Sequence, residues 1–334
     1  MKIADKRLVK TGGGGSNTYL LIIFGLMLLI FQIWNNNFLS SANIITMMNS
    51  ASLYGIMAVG LAVVIISGSV DLSVGYVACL AGLLVSMLIE WYSIPWPAAV
   101  LITLCFGALS GLISASLVVY LKIPAFIATL AVSNIWNGIA YIITQAASIS
   151  VSDKTFTKIG GTSFGFISSA FIITIVLFII YGIMLKRTKL GRYIYMCGGS
   201  SAAARLAGIS STKITFFAFI NCGVIAALAG IVLTSRMGIG SPLSAVGSDL
   251  TAITAVVLGG IAFTGGTGNM TGAFIGTCIM TAFSNALIVI GLNADFQIVA
   301  VGALLIAAMV VDFYRNKAHN KRLKKLEAEG FGKI

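Results

Sequence analysis

Residue types that perform catalysis or hold metals are scarce in this sequence and lie far apart. The only histidine, His319, lies in a basic segment near the C-terminus. The five cysteines have neither the spacing of a zinc site nor that of a disulfide framework, and they are Cys79, Cys105, Cys197, Cys222 and Cys278. No G-x-x-x-x-G-K-S/T motif occurs, so we expect no site for ATP phosphates. The sequence therefore predicts a protein that is not an enzyme and binds no metal or other cofactor of its own.

Acidic residues are almost missing from the apolar part of the chain. Asp71 and Glu90 lie at the ends of predicted apolar segments, and Asp249, Asp295 and Asp312 lie at or near the ends of others. A proton-driven pump usually needs ionisable residues within the membrane. Backbone carbonyls can still hold sodium, so this scarcity argues against ion coupling without excluding it. If the protein is an active transporter, we expect its energy to come from another subunit.

Asp71 has two interpretations. It precedes Leu72, Ser73 and Val74, a pattern typical of an N-cap whose carboxylate accepts backbone N–H groups at the start of the next helix. The alternative is a role in a gate or along a substrate path. Asp249 is predicted to be a helix cap on the same grounds.

The composition predicts a chain surrounded largely by lipid. Of its 334 residues, 58% are hydrophobic and only 9% are charged, whereas a soluble domain has about 25% charged residues. Ten apolar segments come near the length of about 20 residues that a bilayer span needs. They lie at about 18–34, 43–66, 72–90, 97–120, 126–144, 169–186, 214–236, 249–263, 270–291 and 296–312. The predicted fold is an all-α polytopic membrane protein with about ten transmembrane helices. Some helices are expected to be broken or partial, above all 249–263, which Gly259–Gly260 interrupts.

The placement of basic residues predicts the orientation. The net charge is +12, but the basic residues cluster at the termini and between apolar segments. This pattern is typical of membrane topology rather than of a nucleic-acid groove, so we expect no nucleic-acid partner. With a cytoplasmic N-terminus, 18 of the 21 lysines and arginines lie inside, and only Lys154, Lys158 and Arg236 lie outside. The positive-inside rule favours this arrangement, in which both termini are cytoplasmic.

The chain divides into three predicted parts. Residues 1–17 form an N-terminal cytoplasmic tail with the segment GGGGS at 12–16, which is typical of a flexible linker. Residues 18–312 form the transmembrane domain, and residues 313–334 form a basic cytoplasmic tail. Within the domain, 192–214 is the longest polar connection between strongly apolar segments. It mixes alanines that favour a helix with glycines that break it, as expected of a short helix at a membrane surface.

Two segments have glycines at corresponding positions, which indicates an internal repeat. They are SGSVDLSVG at 67–75 and TGGTGNMTG at 264–272, each after an apolar run that contains Ala-Val. Transporters often contain such repeats. A chance match between segments rich in small residues is the alternative.

Six motifs along residues 40–312 carry a family resemblance. They are SGSVDLSVG at 67–75, LKIPAFIATL at 121–130, NGIAYIIT at 137–144, KLGRYIY at 189–195, GGSSAAARLAGI at 198–209 and AVVLGGIAFTGGTGNMTGAFIG at 255–276. In this order they resemble the permease subunits of ribose-type ABC sugar importers, a family that also includes xylose, galactose and autoinducer-2 permeases.

The resemblance implies several partners. The chain would pair with a second permease chain, either a copy of itself or a different one, in a bacterial cytoplasmic membrane. A cytosolic ABC ATPase would bind below it and use ATP and magnesium. An extracytoplasmic binding protein would deliver a sugar or related small polyol. Ribose, xylose, galactose, a nucleoside and autoinducer-2 all stay open as the cargo.

The resemblance also implies that the segment 198–209 docks into a groove on the ATPase. The residues to which it assigns this coupling role are Gly198, Gly199, Ala203, Ala204, Arg205 and Gly208. The alanines offer a small surface for close packing, and Arg205 could pair with an acidic or carbonyl acceptor or with lipid phosphate. A solvated amphipathic loop that carries topology charges is the alternative.

If the cargo is a neutral polyol, we expect uncharged contacts for its hydroxyl groups. Together with Asp71, the candidates for the translocation pathway are Phe126, Asn134, Asn137, Asn221 and Asn285. For the asparagines the alternative is hydrogen bonding between helices, and for Phe126 it is core packing.

Two positions depart from the family pattern. Ser200 and Ser114 occupy positions where the family often has Asn. The change at Ser200 leaves open how the coupling segment docks. The change at Ser114 leaves open whether that span contacts the substrate. Two other functional classes also stay open. They are a stand-alone secondary carrier or channel for a small neutral solute, and a membrane scaffold that transports nothing.

Overall fold

A computed structural model describes residues 13–331, with side chains for residues 17–293, 295–314 and 317. The described chain is mostly helical. The helices are α1 (Gly13–Trp34), α2 (Ser41–Ile66), α3 (Val74–Glu90), α4 (Trp96–Val119), α5 (Ala125–Thr144), α6 (Lys154–Gly161), α7 (Ser169–Arg187), α8 (Lys189–Gly199), α9 (Ser201–Leu206), α10 (Ser211–Met237), α11 (Ser248–Leu258), α12 (Met270–Val289) and α13 (Ala294–Phe331). The strands are β1 (Ile149–Ser150), β2 (Ser163–Phe164), β3 (Ile167–Ser168) and β4 (Ile239–Gly240).

Each of the ten predicted apolar segments corresponds to a helix. Among the described residues, eight helices are long and apolar enough to cross a membrane. The other two, α3 and α11, have 17 and 11 residues. The predicted fold class, with about ten membrane helices of which some are partial, is confirmed. The segment predicted at 249–263 ends as a helix at Leu258, before the paired glycines.

The two ends of the chain differ from the predicted boundaries. Helix α1 begins at Gly13, so the prediction of a flexible linker is wrong for residues 13–16. Helix α13 continues past the predicted span to Phe331 and contains 38 residues. The last apolar segment and most of the basic segment that follows it therefore form one helix.

Small elements cover the end of the bundle that carries α6, which we call the outer end. Strand β1 pairs antiparallel with β4, with Ile149 opposite Gly240, and the Val151 N–H donates to the Gly238 carbonyl at 2.8 Å. These bonds tie the chain after α5 to the end of α10. A second hairpin, β2–β3, leads from α6 into α7. We call the opposite end, which carries α8 and α9, the inner end, and the charge distribution predicts that it faces the cytosol.

Helix α10 is the central element, because it packs against α2, α3 and α4. Glycines allow the backbones to touch. A Cβ at Gly223 of α10 would overlap the Gly107 carbonyl oxygen of α4, and a Cβ at Gly230 would overlap the Ala78 carbonyl oxygen of α3. In lipid, helices associate mainly through close packing of this kind, because there is no hydrophobic force between them.

This packing predicts the effect of one added methyl group. Gly223→Ala should lower the unfolding temperature of the detergent-purified chain by about 5 °C, because overpacking a close contact costs about 1–3 kcal/mol. Gly25→Ala is the matched control, since nothing lies within 4 Å of a Cβ at Gly25. Thermal unfolding followed by tryptophan fluorescence measures both variants. Equal unfolding temperatures for the two would contradict the role given to the α4–α10 contact.

Candidate functional site

The inner end is built around α8, which folds back against the end of α7. The Thr188 hydroxyl caps α8 by accepting the Gly191 N–H at 3.1 Å. Gly191, Ile194 and Cys197 are buried, and a Cβ at Gly191 would overlap the Leu185 carbonyl oxygen. The glycine therefore sets how tightly α8 packs on α7.

Helix α9 is short and has defined caps at both ends. The Ser200 hydroxyl accepts the Ala203 N–H at 3.2 Å, so Ser200 acts as an N-cap, a role that Asn also fills well. At the other end Gly208 has φ +76°, and the Ile209 N–H donates to the Ala204 carbonyl at 2.9 Å. This is a Schellman motif, in which glycine is favoured because its backbone is left-handed. The paired caps hold α9 in one position despite its length of six residues.

The exposed side of α9 differs from the surface predicted from its alanines. Ala203 and Arg205 are exposed, but Ala204 is buried in the main hydrophobic core. Leu206, which the sequence analysis did not select, is 92% exposed. Its signal in the sequence was a large apolar residue in a segment of otherwise small and polar ones. The exposed surface of α9 therefore includes a large apolar residue at the C-terminal end of the helix.

Two loops, the one between α2 and α3 and the one between α11 and α12, meet the end of α8 through backbone contacts. We call this contact the inner glycine junction, and its members are Gly68, Gly198, Gly199, Gly265 and Gly266. The Gly266 N–H donates to the Ile66 carbonyl at 2.9 Å. A Cβ at Gly198 would overlap that same oxygen, and a Cβ at Gly266 would lie 2.6 Å from the Cα of Gly199.

The two segments that share a glycine frame contact each other at this junction. Gly68 and Gly265 occupy corresponding positions in them, and their φ angles are +89° and +86°. A Cβ at Gly265 would lie 2.8 Å from the Cα of Gly68. The matching glycines Gly68 and Gly265 thus have the same left-handed backbone conformation and lie side by side.

Side chains from two other helices hold the loop between α11 and α12. The Tyr195 hydroxyl of α8 donates to the Gly268 carbonyl at 2.8 Å. Burial raises the pKa of Tyr195, so the hydroxyl stays protonated at neutral pH. From α13, Asp312 accepts the Phe263 N–H at 3.2 Å. Movement of α8 therefore acts directly on this loop.

Asp71 lies buried in the loop between α2 and α3. One carboxylate oxygen accepts both the backbone N–H of Ser73, at 2.8 Å, and its hydroxyl, at 2.6 Å. Asp71 thus accepts a backbone N–H at the start of α3 as predicted, although Ser73 is the residue directly before the helix. The Leu72 N–H donates to the Thr129 hydroxyl of α5 at 3.0 Å, which ties this loop to α5.

The prediction that Asp249 caps a helix is wrong. Gly247 occupies the cap position of α11, with φ +74°, and the helix begins at Ser248. Asp249 is therefore the second residue of the helix, since the left-handed turn at Gly247 starts the helix two residues earlier than a cap at Asp249 would.

Two of the predicted pathway asparagines bind neighbouring helices. The amides of Asn285 and Asn43 exchange hydrogen bonds of 2.8 and 3.0 Å and so join α12 to α2. Asn221 of α10 accepts the hydroxyl of Tyr181 from α7. Both pairs match the alternative interpretation of these side chains as contacts between helices. Ser114 is fully buried in α4.

The other pathway candidates lie on or near the uncovered side of α5. Phe126 is 56% exposed, Asn134 is exposed, and Asn137 is half-buried. The carbonyl oxygen of the Asn137 side chain is buried and has no hydrogen-bond partner in the described part of the chain. Gly138 is exposed on this helix, and nothing lies within 4 Å of a Cβ there. Helix α5 therefore presents the amide of Asn134 and the small residue Gly138 on a face that nothing in the described chain covers, and Asn137 lies at the edge of this face.

Comparison with known families agrees with this architecture. Residues 43–309 match the family described as "Branched-chain amino acid transport system / permease component". The chain belongs to this permease family. The matched residues run from the start of α2 into α13 and include the inner glycine junction and α9. Membership makes the chain a translocation subunit of a transport system and not an enzyme.

Individual relatives cover nearly the whole permease. The chain is 35% identical over 294 residues to the ribose import permease protein RbsC of Haemophilus influenzae, covering 86% of this permease and 90% of the relative. It is 32% identical over 299 residues to the L-arabinose transport system permease protein AraH of Escherichia coli, covering 90% and 91%. The probable ABC transporter permease protein YphD of Escherichia coli is 30% identical over 303 residues, covering 90% and 91%. No solved structure matches this permease.

The bond between Tyr195 and Gly268 can be tested by removing one oxygen atom. In Tyr195→Phe the amides of residues 259–269 should exchange with deuterium about five- to tenfold faster, because a hydrogen bond contributes about 1 kcal/mol. Tyr193→Phe is the control, because Tyr193 is 39% exposed on the same helix. Hydrogen exchange measured by mass spectrometry distinguishes the two. Unchanged exchange in Tyr195→Phe would show that α8 does not hold the loop.

Proposed function

We propose that this permease is the transmembrane subunit of an ATP-driven importer for a small sugar, with a pentose as the first substrate to test. Its relatives are named as permeases for ribose and for L-arabinose, and both of these sugars are pentoses. The permease pairs with a second permease chain in a bacterial cytoplasmic membrane. A cytosolic ATPase binds the inner end, and an extracytoplasmic binding protein delivers the sugar to the outer end.

The exposed α9 carries this proposal. Leu206 is 92% exposed on a short helix that is capped at both ends, and an apolar side chain in such a position can fill a pocket on a partner. The sequence has no motif for ATP phosphates of its own. A partner that supplies the ATPase therefore has a defined place to bind, with Leu206 as the anchor and Arg205 beside it as a charged contact.

The inner glycine junction is the route by which a movement of α9 reaches the membrane helices. Helix α9 follows directly from α8, and Gly198 at the end of α8 touches the end of α2 at Ile66. Tyr195 holds the loop that precedes α12. When the ATPase moves α8, the loops before α3 and α12 move with it, because the contacts between them are made by backbone atoms.

The uncovered face of α5 lines the path of the sugar, between this chain and the second permease. Amide groups suit a neutral sugar, because each amide both donates and accepts hydrogen bonds with hydroxyl groups. Asn134 and Asn137 supply such groups, and Phe126 supplies an apolar surface near the inner end of the same helix. Asn221 and Asn285 are assigned to contacts between helices.

Replacing the anchor should separate the ATPase from the permease. In Leu206→Asp, co-purification of the ATPase and uptake of radiolabelled ribose or L-arabinose should both fall at least about 30-fold, because a central anchor of an interface contributes about 2 kcal/mol or more. Leu206→Met keeps the apolar contact and should retain both. The amount of each variant in the membrane, measured by immunoblot, should stay constant, because the side chain is exposed.

Reconstitution distinguishes this function from a stand-alone carrier. In proteoliposomes, sugar flux should require the ATPase, ATP and the binding protein. Flux of the same sugar through this chain alone would support a carrier or channel and overturn the proposal. Full uptake by Leu206→Asp would overturn the docking role of α9.

A further inference from the structure

The chain between α10 and α11 enters the bundle without forming a helix. After β4 at the outer end, residues 241–247 run alongside α3 toward its first turn, and we call them the descending segment. The Cys79 thiol of α3 donates to the Pro242 carbonyl at 3.3 Å. Further along, a Cβ at Gly75 of α3 would lie 3.2 Å from the Ala245 carbonyl oxygen. The descending segment therefore follows α3 from the outer end to the place where α3 begins.

This place lies inside the membrane. The other end of α3 is at the outer end of the bundle, where Glu90 accepts the Ser152 N–H at 2.6 Å. The 17 residues of α3 span about 25 Å, which is less than the hydrocarbon thickness of about 30 Å. Helix α11 begins at Ser248, directly after the descending segment. Both α3 and α11 therefore begin within the membrane and in contact with each other.

One side of the descending segment is not covered by the rest of the described chain. Leu243 is 70% exposed, Val246 is 48% exposed, and Gly247 is exposed. Non-helical backbone at this depth is stable only where protein covers it or where it lines a water-filled cavity. Lipid is therefore excluded at this face, and either the second permease chain or water must contact it.

Polar side chains beside the descending segment favour water. Asp249, in the first turn of α11, packs on the start of α3, since a Cβ at Gly75 would lie 3.3 Å from one of its carboxylate oxygens. Tyr76 is half-buried and lies within electrostatic range of both Asp249 and Tyr141 of α5. In the described part of the chain the Asp249 carboxylate accepts only backbone N–H groups of its own turn. Ionisable groups inside a membrane almost always face a bundle interior or a water-filled cavity, so this face lines a cavity.

The polar surface continues onto α5. Residues four and seven positions apart lie on the same side of a helix, so Tyr141 shares its side of α5 with Asn137 and Asn134. The side-chain oxygen of Asn137 is buried and has no hydrogen-bond partner among the described residues. Tyr76, Asp249 and the amides of α5 are thus parts of one surface, which includes the face of α5 proposed above for the path of the sugar.

We infer that Asp249 is a sugar-binding residue within this path, where its carboxylate accepts hydroxyl groups of the sugar and Tyr76 lies beside it. This inference rests on the proposed import function and assigns it a binding residue. A carboxylate has two oxygens and can accept hydrogen bonds from two neighbouring hydroxyls of one sugar. Such charge-assisted bonds are stronger than bonds to a neutral amide. The Tyr76 hydroxyl can both donate to the sugar and accept from it.

Helix α11 connects this sugar site to the inner end. It carries Asp249 in its first turn and ends at Leu258, next to the loop that the Tyr195 hydroxyl holds. Movement of α8 therefore acts on the helix that positions Asp249.

Cysteine labelling tests whether water reaches this face. The complete importer in nanodiscs carries Val246→Cys, with Cys105→Ala and Cys278→Ala to remove the two thiols that are not buried, and is treated with a charged maleimide. Labelling should be at least about tenfold faster than for Ile30→Cys in the same background, because only the hydrated, ionised thiol reacts. Ile30 is 57% exposed on α1, which faces lipid. Equal rates would place the face against lipid or the second chain and overturn the inference.

Protection by sugar tests the role of Asp249. Ribose or L-arabinose should slow the labelling of Val246→Cys. Adding Asp249→Asn should raise the sugar concentration that halves the labelling rate at least about tenfold, because a hydrogen bond to a charged group is lost. Uptake of the radiolabelled sugar should fall by a similar factor. Asp249→Glu keeps the carboxylate and should retain protection, whereas a purely structural role predicts the reverse, since Asn has the shape of Asp and Glu does not.

The outcomes separate this inference from the function on which it rests. If the wild-type importer, supplied with ATP and the binding protein of the same transport system, takes up neither sugar, the import function fails and the inference fails with it. If uptake occurs and Asp249→Asn leaves uptake and protection unchanged, only the role of Asp249 is overturned. If uptake occurs but neither sugar slows the labelling of Val246→Cys, the cavity holds no sugar at this position, and the inference is again overturned.

Discussion

The structure depends above all on how closely α10 approaches its neighbours. Gly223 contacts Gly107 of α4, and Gly230 contacts the backbone of α3 at Ala78. Because lipid is as apolar as the side chains, a membrane bundle gains little by merely covering them, and its stability comes from the fit between helices. Helix α10 also lies beside α6 at one end and follows α9 at the other. The contacts that hold the bundle together therefore also set the distance between α6 and α9.

The inner glycine junction contains non-helical backbone, whose polar groups need hydrogen-bond partners inside a membrane bundle. Polar backbone groups cannot be left facing lipid, so loops within a bundle must satisfy each other. Here the Gly266 N–H binds the Ile66 carbonyl, and Asp71 binds the N–H of Ser73. Since the junction is made of backbone, a change of rotamer cannot absorb a displacement of α8. The backbone contacts that provide hydrogen bonds for these loops also make the junction stiff.

The sequence by itself determined where the apolar helices lie, since each of the ten predicted segments corresponds to a helix, and it predicted an orientation and a coupling segment. Insertion into a bilayer depends on the hydropathy and charge of each segment by itself. The span predicted at 126–144 accordingly lies within one residue of α5. Only the tertiary structure decided which side of each helix is covered. A helix that is apolar all round has no polar face, so its sequence does not show which side packs against other helices. It placed Ala204 inside and Leu206 outside, and it brought Asn285 to Asn43 across 242 residues. These outcomes depend on the neighbours that each helix meets, which no local pattern contains.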